Sequence, residues 1–96
     1  MTRRSDAPGW NALVADWQAL VEYYPAGIPW RRLRGLILRH GGKPERITTN
    51  CGVGSIQYYD ENGRPNRWAN VASMTGLTLY VDGEAVEAIS PEEVSR

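Results

Sequence analysis

Residues 30–59, WRRLRGLILRHGGKPERITTNCGVGSIQYY, contain the point at which the chain changes its period. Before Gly41-Gly42, Trp30, Leu33, Leu36, Ile37 and His40 recur at helical spacing and share one side of a cylinder. Arg31, Arg32, Gly35 and Arg39 gather on an arc of roughly 100° elsewhere on it, with Arg34 and Leu38 at the borders. Gly35, in the middle of that arc, is where a partner's backbone could come close. After the glycines the period is two: Arg46 and Thr48 alternate against Ile47 and Thr49, then Ile56 and Tyr58 against Ser55, Gln57 and Tyr59. A helix therefore feeds extended strands. Pro29 suits a first helical position because its missing N–H is not needed there, and the glycine pair supplies a left-handed exit, so the helix is expected over about 29–40.

Upstream, Trp10, Leu13, Val14, Trp17, Leu20, Val21 and Tyr24 fall at i, i+3, i+4, i+7 spacing, which predicts a first amphipathic helix over 10–24, stopped by Pro25 and Gly27. Residues 1–9 are expected to be a flexible N-terminus and 10–96 a single α+β domain. Downstream, Asp60-Glu61-Asn62-Gly63 is a turn and Arg67 to Ala72 an extended run. Asp82-Gly83 is a two-residue hairpin loop, and pairing outward from it sets Val81 opposite Glu84, Leu79 opposite Val86 and Leu77 opposite Ala88. Ser90-Pro91-Glu92-Glu93 matches a helix start, with Ser90 as cap and Glu93 as capping-box acid. The expected fold class is α+β: two N-terminal amphipathic helices packed on one face of a four- to five-stranded antiparallel sheet of meandering hairpins. Trp10, Trp17 and Trp30 belong to the core by their spacing, and Thr78, Tyr80 and Tyr59 to the sheet's far face. Tyr58 and Tyr59 are adjacent, so one of them faces out, and register decides which.

Ninety-six residues, 42% of them apolar, make one domain able to bury a modest core. The single cysteine, Cys51, forms no internal disulfide, so an oxidising compartment is not required, and with no secretory or membrane-spanning run the expected location is cytoplasmic. The formal net charge is zero, yet the charge is segregated. Residues 31–46 carry Arg31, Arg32, Arg34, Arg39, Lys43 and Arg46 against Glu45 alone, while 82–93 hold Asp82, Glu84, Glu87, Glu92 and Glu93 with no Lys or Arg. Such polarity steers partners even where total charge vanishes. The arginine face fits a solvated surface, an acidic protein or phosphates; a pI near 6.6 argues against phosphate contact as its sole business.

Catalytic constellations are thin. Asn50-Cys51-Gly52-Val53-Gly54-Ser55 brings a thiol into a glycine-bearing bend, and His40 is the only histidine to activate it; a small buried cysteine is the plainer expectation. The glycines do not follow a strand and open a helix, as a nucleotide fingerprint requires. One Cys and one His build no structural zinc site, so neither metal nor cofactor is expected. Asp60-Glu61 and Asp82/Glu84 read as turn chemistry.

The stretch LRGLILRHGGKPERITTNCGVGSIQYYDENGRP, about a third of the chain, loosely resembles the HicA-type toxin domain, a small double-stranded-RNA-binding-like fold in which a helix ending in glycine leads into a hairpin through a Gly-Ser-His stretch. Here that place reads Gly54-Ser55-Ile56. The resemblance implies the shape without the histidine on which that family's RNA cleavage depends, and with an additional helix in front.

The expected function is that of a small non-enzymatic protein that binds a macromolecule by occlusion, as adaptors, antitoxins and phage or mobile-element inhibitors do. The candidate partner-binding residues are Arg31, Arg32, Arg39, Lys43, Arg46, Tyr59, Trp68 and Tyr80, the arginines steering and the aromatics anchoring an acidic protein surface. The alternative is a nucleic-acid-binding module. A homodimer through the acidic C-terminal segment is a further expectation, and no membrane partner is expected.

Overall fold

The computed structural model describes residues 8–94. Helix α1 (Pro8–Tyr23) and helix α2 (Trp30–Arg39) precede five strands, β1 (Lys43–Arg46), β2 (Gly52–Tyr58), β3 (Arg67–Ala72), β4 (Gly76–Val81) and β5 (Glu84–Ile89), and a final turn of helix, α3 (Pro91–Val94). The strands form one antiparallel meander in the order β1-β2-β3-β4-β5, with helices on one face, so the expected α+β architecture is the observed one. Pro8 and Gly9, expected in a flexible N-terminus, are helical; residues 1–7 of that segment lie outside the described residues.

The core follows from the two periods. Trp10, Leu13, Trp17 and Val21 form the inner stripe of α1; Trp30, Leu33, Leu36 and Ile37 that of α2; Ile56, Ala69, Val71, Leu77 and Leu79 face them from the sheet. Each buried valine, leucine or isoleucine among them contributes about 1.5–3 kcal/mol on leaving water. Helix α2 lies against β1 and β2, whereas α1 contacts α2 and α3. Pro29 sits one residue earlier than expected, as the extended N-cap, and the exit closes as predicted: Gly41 takes φ 79°, and the Gly42 N–H donates to the Ile37 carbonyl at 2.8 Å.

The sheet departs from expectation at both edges. The first strand is Lys43–Arg46 rather than the alternating run 46–49, because residues 47–51 are spent on the reversal: the Ile47 and Thr48 N–H groups donate to the Cys51 carbonyl, and the Cys51 N–H donates to Thr48 Oγ1. An edge strand tolerates Pro44, which has no N–H to give. At the other edge, Val81 pairs with Glu84 as expected, but a β-bulge inserts Val86, after which Leu79 lies opposite Glu87 and Leu77 opposite Ile89. Val86 still packs on the core. Asp82 (φ 53°) and Gly83 (φ 86°) form the tight turn between the two strands.

Register settles the tyrosine pair. Tyr58 turns inward and donates its hydroxyl to the Gly9 carbonyl at 3.2 Å, while Tyr59 stays 61% exposed. Burial pushes the Tyr58 phenol up to about 12, because the phenolate loses hydration. The unfolded chain releases that proton near 10, so below pH 10 the tyrosine's contribution is complete, and it is lost as pH rises from 10 towards 12. Tyr58→Phe should therefore flatten the alkaline limb of a stability–pH curve measured by urea unfolding; an unchanged limb would assign it to other groups.

Candidate functional site

The candidate residues fall on two surfaces, and these lie on opposite layers. The first is the outward side of α2. Arg31, Arg32, Arg34 and Arg39 are exposed along it, together with Gly35 and Leu38, the latter 46% exposed. Arg39 places Nε 3.9 Å from Asp16 Oδ2, the same carboxylate oxygen that lies 2.8 Å from His40 Nε2. Arg39 is thereby drawn towards α1, although an ion pair this exposed is weak. Among the described residues Arg31, Arg32 and Arg34 have no carboxylate partner. A Cβ built on Gly35 meets nothing within 4 Å among the described residues, so no packing among them requires glycine there. Arg46, on β1, turns to the helix side and sets its guanidinium carbon 5.9 Å from the Trp30 ring centroid, a cation–π contact that fixes it beside the start of α2.

The second surface is the open face of the sheet. Alternation opposite the buried Ala69 and Leu79 turns Trp68 and Tyr80 outward, where they pair across β3 and β4 and stack with centroids 4.9 Å apart and planes 6° from parallel. Beside this ridge lies a shallow trough of about 380 Å³, with Ser55, Asn70 and Thr78 among its lining and Lys43 and Glu45 at its β1 margin. Of the eight residues singled out in the sequence, Arg31, Arg32, Arg39 and Arg46 belong to the helix layer and Lys43, Trp68 and Tyr80 to the open face, while Tyr59, 61% exposed, follows the last residue of β2. They are not one patch. Leu38, Gly35 and Arg34 complete the helix face in place of the aromatics.

The strand order also places the segregated charges in space. The basic segment of α2 and β1 occupies one sheet edge, and the acids of β5 and α3 the other, roughly 19 Å away at about 4.8 Å per strand. At the turn after β2, Asp60 accepts from the N–H groups of Arg64 and Asn62 at 2.9 Å each and from Arg64 Nε at 3.1 Å, and these donors, the Arg64 N–H foremost, hold its carboxyl below the usual range.

Nucleophile and base do not meet. His40 precedes β1 while Cys51 follows the reversal, a strand length of roughly 13 Å apart. His40 is engaged by Asp16, and Cys51 is half-buried. Gly52 and Gly54 form no bend: both lie in β2 facing α2, where Trp30 and Ile37 occupy the space a side chain would need. Among the described residues no group of three or more His, Cys, Asp or Glu could hold a metal ion, and no helix is long and apolar enough to cross a membrane.

Fold and surfaces together define a two-layer α+β domain with a basic helix on one side and an open sheet on the other. Compared with known proteins, the chain matches no family model, no curated protein and no solved structure. Helix α2 leaves through Gly41 and Gly42 into the β1–β2 hairpin, and the sheet then continues to five strands.

Proposed function

We propose that the chain is a non-enzymatic interaction protein that docks an acidic surface of a partner protein onto the outward face of α2 and acts by occluding it, as a cytoplasmic inhibitor of the phage or mobile-element kind does. The observation that carries this reading is the composition of one helical face: Arg31, Arg32 and Arg34, without a carboxylate partner among the described residues, around an exposed Leu38 and an open Gly35. Guanidinium groups give charge-assisted, bidentate bonds to carboxylates, and an apolar side chain among them supplies area that leaves water. Glycine in mid-helix costs roughly 0.5–1 kcal/mol relative to alanine. Here nothing inside the fold needs that cost, which supports a role towards an approaching backbone.

The test compares capture from host extract by the wild type and by a triple variant, Arg31→Ala, Arg32→Ala and Arg34→Ala. A protein held by the first and released by the second, at unchanged thermal midpoint, is the expected result; equal retention removes this face as the docking surface. Titration with duplex and single-stranded oligonucleotides at low and raised salt tests the other acidic partner. Affinity falling steeply with salt would replace the protein reading by a nucleic-acid one. Gly35→Ala should stabilise the fold by about 0.5–1 kcal/mol and weaken capture. A variant both more stable and equally well captured would show that no backbone comes close there.

A further inference from the structure

The open face of the sheet has no partner within the described chain, and its chemistry differs from the rest of the surface. Six strand residues carry charge: Lys43, Glu45, Arg46, Arg67, Glu84 and Glu87. The register turns four of them to the helix side and leaves Lys43 and Glu45 on the open side. Between them and the Trp68–Tyr80 ridge lie Ser55, Asn70 and Thr78. Depletion of charge with enrichment of Trp and Tyr is the signature of a protein interface core. One lysine beside one glutamate cannot neutralise a run of phosphates, so the same face is poor in what a nucleic acid requires.

We propose that this face seats a second copy of the chain, sheet against sheet, about a two-fold axis. Charge selects the occupant. Lys43 and Glu45 flank Pro44 on one strand, so the face is its own electrostatic complement. An axis crossing the strands through the row Pro44, Gly54, Val71 and Leu77 sets Lys43 of each copy over Glu45 of the other. Shape agrees with charge. The same axis carries each Trp68–Tyr80 ridge towards the end of the other copy's trough, where Ala72, Thr75 and Gly76 leave room.

Five strands at about 4.8 Å and six residues at about 3.3 Å give a footprint of roughly 24 by 20 Å on each copy. The two footprints together approach 1,000 Å², about the low end of specific interfaces, so association is weak and concentration-dependent. Because α2 lies on the other layer, such a dimer turns two arginine faces outward and offers them together, which raises avidity for a partner with repeated acidic sites. Only this consequence rests on the function proposed above; the dimer does not.

Sedimentation of the full chain from micromolar to millimolar concentration reads the proposal directly. The wild type should pass from one copy to two. Asn70→Arg places a guanidinium at an exposed strand position in the middle of the face and should stay monomeric throughout, with an unchanged circular dichroism spectrum. Glu45→Lys alone and Lys43→Glu alone should each weaken dimerisation at least tenfold by opposing like charges, and an equimolar mixture of the two should restore it, since every contact across the mixed dimer is then between opposite charges. A wild type monomeric at millimolar concentration overturns the proposal, including the case in which Asn70→Arg instead removes binding of a different protein or an oligonucleotide. So does an Asn70→Arg chain that dimerises normally. The triple arginine variant should dimerise like the wild type, so loss of capture and loss of the dimer are separable failures.

Discussion

Trp17→Ala should lower the free energy of unfolding by about 3–5 kcal/mol, the range for truncating a buried large aromatic. Trp17 is 1% exposed on the inner stripe of α1. It also helps wall a hollow shared with Val21, Tyr24 and Ile28, which are themselves held by the helix and the turn that follows it. The vacated space therefore has little that can collapse into it, and the cost belongs near the upper part of that range. For a domain of this size about 1 kcal/mol moves the thermal midpoint by roughly 4–8 °C, so a fall of about 15 °C or more is expected. Urea unfolding and a thermal melt measure it together. A loss below about 1 kcal/mol would mean that α1 is peripheral and that α2 and the sheet make a sufficient core alone. The triple arginine variant, by contrast, should lie within about 0.5 kcal/mol of the wild type, since the three side chains are exposed.

Trp17 was legible because helical periodicity is a local property. Trp10, Leu13 and Val21 repeat its direction every turn, and no distant contact changes which side of the cylinder they occupy. The sheet was legible only where a turn fixes pairing. Asp82-Gly83 set Val81 against Glu84, but the bulge at Val86 depends on how β5 fits β4 and the core, and no residue type in EAVEAI announces it. β1 starts a few residues before the alternating run for a related reason: the reversal is closed by Thr48 and Cys51 hydrogen bonds, and alternation alone does not distinguish a strand from the arm of a loop. Of the candidate site, the arginine arc could be drawn on a helical wheel. What the wheel could not give was the layer on which the aromatics lie, since Trp68 and Tyr80 face away from α2 only by virtue of the sheet register. The tie between Arg39 and Asp16 likewise joins residues that only tertiary structure brings together.

The second large effect concerns Gly52 and Gly54, which in the sequence look like a flexible bend and in the fold are the seat of α2. A Cβ on Gly52 would fall 2.0 Å from the Trp30 ring, and one on Gly54 2.6 Å from Ile37 Cδ1 and 3.1 Å from the Lys43 carbonyl oxygen. The strand lacks side chains at these two positions so that α2 can come close enough to bury Trp30 and Ile37. Gly52→Val combined with Gly54→Val should thus cost about 1–3 kcal/mol at each site through overpacking, displace α2 and abolish capture by its outward face along with much of the stability. Loss of binding in an unstable protein is ambiguous by itself, and a double-mutant cycle removes the ambiguity. Gly54→Ala adds a methyl where Ile37 sits, and Ile37→Ala vacates that space, so the double variant should be more stable than the sum of the two single losses by roughly 1 kcal/mol or more. Additivity within about 0.3–0.5 kcal/mol would deny that the two residues share one volume. If the coupling is found, the orientation of the arginine face is set from beneath, by the absence of two side chains in β2, and the same helix sequence on a strand without those glycines would not present it.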